Sequence, residues 1–146
     1  MDIAAMTGLE LMQAARDGGI TVGIAELFGM RMDEVEEGRI AFSLDTGPQF
    51  ANPLGTLHGG VAATMLDSVL GCAVHTTLPA GVGYTSLDLN VRYIRSGKLD
   101  GSPIRAEGRT VHVGRTTATA EGELTDATGR LLATATTTCL IMRPPA

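Results

Sequence analysis

Residues 52–71 read NPLGTLHGGVAATMLDSVLG. Four groups in this stretch could do chemistry: the Asn52 amide, the His58 imidazole, the backbone of Gly59 and Gly60, and the Asp67 carboxylate. An apolar run follows His-Gly-Gly, and Asp67 alone interrupts it with charge. The first turn of a helix has unpaired N–H groups and a partial positive charge. Glycines there let another group approach those donors closely. Such a turn can hold an anion or a polarised carbonyl oxygen. A glycine at a helix start also serves as plain capping, and that reading stays open. For Asp67 the ordinary alternative is an ion pair with an Arg from a neighbouring strand. The functional alternative is a share in a site, since a lone carboxylate on an apolar helix is costly without a partner.

Spacing constrains how these groups could cooperate. Gly59 and Asp67 are eight residues apart, roughly 12 Å along a helix at about 1.5 Å per residue. They cannot both touch one reacting carbon. If both act, they belong to two antiparallel helices related by a two-fold axis. The expectation is therefore a symmetric dimer with two composite sites.

The elements that must position these residues follow from periodicity. Residues 7–17 place Leu9, Met12 and Ala15 at helical spacing, and Gly18-Gly19 ends that pattern. Residues 1–20 are thus a helical N-terminal segment, with the core over 21–142 of a single domain spanning 1–146. Ile24 to Glu36 reads as extended. Arg39 to Leu44 alternates as a strand with one buried face. Residues 45–57 hold Gly47-Pro48, Asn52-Pro53 and Gly55 and read as a loop. From Gly59 to about Thr77, Val61, Met65, Val69 and Leu66, Leu70, Val74 recur at three- and four-residue spacing. Small residues fill much of the remainder. A helix apolar on nearly all sides is buried and central. Four strands follow, Ser86–Arg95, Ser102–Val111, Thr116–Leu124 and Leu131–Met142. The first of these alternates through Leu87, Leu89, Val91 and Tyr93. The order implies an α+β domain, a long central helix wrapped by a curved antiparallel sheet.

Composition excludes several function classes. The chain has 146 residues, 44% of them hydrophobic, which fits one domain. A net charge of −5 argues against nucleic-acid binding. With three Phe, two Tyr and no Trp, stacking surfaces are scarce. Cys72 and Cys139 sit among apolar neighbours and read as buried free thiols. No segment has the build of a secretory signal or a membrane span, so the expectation is a soluble cytoplasmic protein. There is no metal-ligand spacing of His, Asp or Glu, no phosphate-binding glycine loop, and no G-x-S-x-G elbow. No metal or cofactor is expected.

The Asn52–Gly71 stretch, with His58-Gly59-Gly60 followed by Asp67, resembles the hotdog-fold acyl-CoA thioesterases of the phenylacetate-pathway and mammalian thioesterase-superfamily-member type. TSLDLNVRYIRSGKLDG (85–101), VHVGRTTATAEGEL (111–124) and DATGRLLATATTTCLI (126–141) resemble later strands and turns of that family. The resemblance runs from about Ile24 to Met142. It implies hydrolysis of an acyl-CoA to a free acid and coenzyme A. Asp67 would be the general base on water, or the nucleophile. The backbone N–H of Gly59, with Gly60 beside it, would polarise the thioester carbonyl. Asn52 would hold the carbonyl or the water, and Ser86 would orient Asp67. His58 would tune the site or cap the helix. Tyr93, Arg95 and Lys98, with His112, Val113, Gly114, Arg115 and Thr116, would line the coenzyme A groove. A homodimer is implied, commonly paired into a homotetramer.

Thioester hydrolysis needs an oxyanion stabiliser and a group that delivers water. Partial burial strengthens a carboxylate as a base, and the apolar surroundings of Asp67 suit that role. The acyl group expected is aryl or medium-chain. Two other classes remain: an enoyl-CoA hydratase or dehydratase on the same fold, and a non-catalytic acyl-CoA-binding regulatory module.

Overall fold

The computed structural model describes residues 2–145. Helix α1 (Gly8–Arg16) opens with a reciprocal cap in which Thr7 accepts from the Glu10 N–H and Glu10 accepts from Thr7. Helix α2 (Gly23–Phe28) is a single short element closed by Gly29 in the left-handed region. This corrects the extended reading of Ile24–Glu36, of which only Arg31–Glu36, strand β1, is a strand. Six residues are too few for a helical period to show against alternation.

Strand β2 (Arg39–Asp45) pairs antiparallel with β1. A single 3-10 turn at Pro48–Phe50 then leads into the loop before helix α3 (Gly59–His75). The edge strand expected over Ser86–Arg95 is two pieces, β3 (Gly83–Ser86) and β4 (Asn90–Tyr93). Asp88 makes the break: its carboxylate accepts from the Thr138 N–H at 2.7 Å, and its carbonyl accepts from the Thr137 hydroxyl at 2.6 Å. Leu87 is consequently 57% exposed rather than inward. The remaining strands are β5 (Pro103–Val113), β6 (Thr117–Thr125) and β7 (Leu131–Met142).

All pairings are antiparallel. The sheet runs β1-β2-β5-β6-β7-β3, with β4 also on β7. Helix α3 lies across its inner face. Met65, Leu66, Val69, Leu70 and Val74 are fully buried there against Ile40, Leu44, Ile104 and Leu124. Each such side chain contributes about 1.5–3 kcal/mol by leaving water. Close seating depends on two glycines opposite one another in the β5–β6 register, Gly108 and Gly122. A Cβ at Gly108 would lie 2.7 Å from the Val69 carbonyl oxygen, and one at Gly122 only 3.1 Å from the Leu70 side chain. Any larger residue there would lift α3 off the sheet. No described helix is long and apolar enough to cross a membrane.

Candidate active site

The two candidate groups, the Gly59 N–H and the Asp67 carboxylate, lie on α3 along the β3–β4 edge. His58 is the N-cap of α3, in extended backbone, and its Nδ1 accepts the Gly60 N–H at 2.8 Å. The Val61 N–H returns to the His58 carbonyl at 3.0 Å. The N–H of Gly59 is the first-turn donor that finds no partner among the described residues. Tyr93, from β4, lays its ring against Gly59 and donates its hydroxyl to the Gly59 carbonyl at 2.8 Å.

A cleft of about 600 Å³ opens beside this turn. Its lining includes Asn52, His58, Gly59, Gly60, Tyr93 and Arg95, over a floor of Leu57, Leu124 and Leu132. The Asn52 side chain is largely committed to its own loop. Its Oδ1 accepts the Leu54 and Thr56 N–H groups at 2.9 and 3.1 Å, and its Nδ2 donates to the Thr56 hydroxyl at 2.8 Å. One amide hydrogen remains for anything in the cleft. Arg95, two residues beyond β4, donates to the Leu131 carbonyl at 3.3 Å. Lys98 is exposed just beyond it.

Asp67 faces outward from the middle of α3. The Ser86 hydroxyl donates to its Oδ1 at 2.9 Å. No Lys, Arg or His pairs with it among the described residues, so the ion-pair alternative does not hold within the chain. Asp67 is exposed on the single chain, so the partial burial expected of it is not met by this chain alone. It is also absent from the cleft that holds Gly59. The helix rise thus separates the two ends as the spacing requires.

The carried-over groove residues divide in the same way. Tyr93 pairs with Ala133, and Ser86 with Cys139, six residues further along β7. That is about 20 Å at roughly 3.3 Å per residue. Val113 pairs with Ala118, itself opposite Cys139. His112, Val113, Gly114, Arg115 and Thr116 therefore sit at the Ser86 end, while Tyr93, Arg95 and Lys98 sit at the Gly59 end. Two features escaped the sequence reading. One is Asp88, whose only signal is an Asp inside a strand pattern. The other is the bond from Tyr93 to the Gly59 carbonyl.

The thioesterase superfamily profile matches residues 54–133, a stretch that contains His58, Gly59, Asp67, Ser86 and Tyr93. The chain belongs to the thioesterase superfamily. Human acyl-coenzyme A thioesterase 13 is 33% identical over 97 residues, 66% of this chain and 68% of that protein. The structure of a phenylacetic acid degradation-related protein from Ralstonia eutropha JMP134 is 30% identical, with a TM-score of 0.80 over 88% of this chain and 98% of that one. A Streptococcus mutans protein whose structure holds acetyl CoA is 28% identical, with a TM-score of 0.72 over 80% and 91% of the two chains. The fold is the hotdog fold that the resemblance implied, and this thioesterase is a thioester hydrolase.

Proposed function

We propose that this thioesterase hydrolyses an acyl-CoA with an aryl or medium-chain acyl group, at a site completed by a second copy of the chain. The observation that carries the reading is the state of Asp67. Among the described residues its carboxylate has one neutral donor, Ser86, and no cation. A carboxylate held by a hydroxyl keeps its charge and its remaining lone pairs for a substrate or a water. The unpartnered Gly59 N–H supplies the complementary half, a fixed donor at a helix start.

Water adds to the thioester carbon as Asp67 of one chain takes its proton, and the carbonyl oxygen becomes an oxyanion at the Gly59 N–H of the other. The C–S bond then breaks, and the leaving sulfur takes up the proton. With Asp67 as nucleophile, its oxygen forms the first bond instead, and water opens the resulting anhydride. Arg95 and Lys98 on one chain and Arg115 on the other supply positive charge for the coenzyme A phosphates. Support for the second copy comes from the outer edge of β3–β4. Leu87 and Ile94 there are 57% and 49% exposed, beside backbone groups with no neighbouring strand. An apolar open edge is a template for pairing. Pairs of such dimers would give the homotetramer.

The test is free-thiol release from a panel of aryl and medium-chain acyl-CoAs. Wild type releases thiol. Asp67→Asn keeps the fold by circular dichroism and loses about 10²–10⁴ in turnover, the range for a proton-transfer group. A variant retaining more than about a tenth of the rate takes Asp67 out of the chemistry.

A further inference from the structure

Two glycines in a row are a poor way to start a helix. Each costs about 1 kcal/mol relative to Ala in helix propensity, and the first turn has the fewest hydrogen bonds to hold it. Yet an oxyanion donor works only if its direction is fixed before the charge develops. In this chain two side chains hold the Gly59-Gly60 turn from opposite sides. His58 takes the Gly60 N–H. Tyr93 takes the Gly59 carbonyl, on an aromatic ring that reaches over from the sheet edge. Both bonds hold one peptide, that of the Gly59 carbonyl and the Gly60 N–H. The Gly59 N–H belongs to the peptide before it, whose His58 carbonyl accepts from the Val61 N–H at 3.0 Å, and it finds no partner among the described residues.

We propose that Tyr93 is a positioning residue: its hydroxyl, together with His58, clamps the Gly59–Gly60 peptide and so fixes the Gly59 backbone from which the adjoining N–H is aimed before substrate arrives. The fit between the two residues is close. A Cβ at position 59 would lie 3.0 Å from the Tyr93 hydroxyl oxygen and 3.1–3.2 Å from its ring carbons, so with any residue but glycine the ring would have to shift. The clamp crosses from β4 to α3 and ties the sheet edge to the turn. It differs from a coenzyme A contact, because the hydroxyl is already engaged with backbone. It rests on the reading of Gly59 as the oxyanion donor, but half of its test needs no substrate.

Tyr93→Phe keeps the ring and removes only the hydroxyl. Steady-state thiol release is measured with the best acyl-CoA of the panel. In parallel, backbone 15N relaxation is measured on the Gly59 and Gly60 amides of the free protein. The clamp predicts that kcat falls about fivefold to tenfold, the effect of one neutral hydrogen bond, with KM within about twofold. It also predicts that the order parameters of both amides fall from the rigid value of about 0.85, while those of α3 beyond Met65 stay unchanged. A raised KM with kcat unchanged makes Tyr93 a substrate contact and overturns the proposal. Amide order equal to wild type overturns it as well, whatever kcat does. If wild type releases no thiol from any acyl-CoA, the proposed function fails, and the relaxation comparison still decides the clamp.

Discussion

Two glycines of α3 each lie under a tyrosine ring from the β3–β4 edge, and the two contacts have opposite surroundings. At Gly71, twelve residues beyond Gly59, a Cβ would come within 2.6 Å of the Tyr84 ring. Tyr84 is half-buried, its hydroxyl beside the Cys72 thiol and its ring 5.3 Å from that of His75. Burial dominates every group there. It raises Tyr84, pushes the Cys72 thiol up to about 11, and lowers His75, so all three are neutral near pH 7. At Gly59 the same pair stands open. Tyr93 is 56% exposed, its hydroxyl is on a backbone carbonyl, and a cleft begins beside it. One contact seals the C-terminal half of the helix, and the other frames a free N–H. Asp67 lies one turn before the sealed contact, on the side the seal leaves exposed.

The strongest way to break this comparison is to separate the two ends onto different chains. A double variant, Asn52→Ala with Gly59→Pro, lacks the Gly59 N–H but keeps Asp67. The Asp67→Ala chain keeps the turn and lacks the carboxylate. Each homodimer should be inactive. Their heterodimer should hold one intact site and regain about half the activity of a wild-type dimer, from a background lower by about 10² or more. Thiol release from a purified mixed-tag heterodimer reads this directly. Heterodimers confirmed by mass and yet inactive would place the whole site within one chain, against the helix rise.

The two glycines themselves give the next largest contrast. Gly71→Ala drives a methyl into a half-buried ring that also packs against His75, and overpacking of this kind costs about 1–3 kcal/mol. Gly59→Ala meets the exposed end of a side chain that can swing into solvent. Its stability should change by less, and its turnover should fall by more than that of Gly71→Ala. Denaturant midpoints and thiol release on both variants test the pairing. Equal losses of stability would mean that the open contact is packing too.

What the sequence makes legible follows the same division. The period of Val61, Met65 and Val69 with Leu66, Leu70 and Val74 reveals α3, because the helix buries a broad apolar face on the sheet over seventeen residues; its other face, with Gly60 and Asp67, is exposed on the single chain, not enclosed as the all-round apolar pattern implied. Strands β5, β6 and β7 are readable from their richness in Thr, Val, Ile and Ala and from the turns at Val113-Gly114 and Asp126–Gly129. The distance between Gly59 and Asp67 needs only the helix rise. The edge was harder. Leu87 and Tyr93 sit in an alternating run and read as inward, but Asp88 bonds across to β7 and breaks the run. A pattern of side-chain types carries no sign of that bond. Ile24–Phe28 failed for a different reason, since one and a half turns of helix show no period. The Tyr93–Gly59 bond joins residues 34 apart, so only the folded chain displays it.

The smallest expected effect concerns His75, at the sealed contact. Its ring is shielded by Tyr84, and Gly8 of α1 packs so tightly there that a Cβ would lie 2.8 Å from the imidazole. Burial lowers its pKa below the ordinary value of 6.5. Above that value the folded and unfolded states are both neutral at this position, and pH has no leverage through it. As pH falls through about 6.5 the unfolded chain binds a proton that the folded chain resists, so stability declines from there toward the folded pKa. The paired carboxylates act lower. Glu107 and Glu34, held down by Arg39 and Arg105, contribute above about 4.5 and lose their contribution only as pH drops below it. The interval from about 6.5 to 5 therefore lies above the paired carboxylates, and substitution assigns the part of its slope that belongs to His75. His75→Gln, which keeps a polar side chain of similar reach, should flatten the decline across that interval, with a change smaller than that of Gly71→Ala. Urea midpoints at half-unit steps of pH measure the slope. The same slope in both proteins would mean that the imidazole reaches water at the end of α3, and that the seal around Tyr84 is looser than its packing indicates.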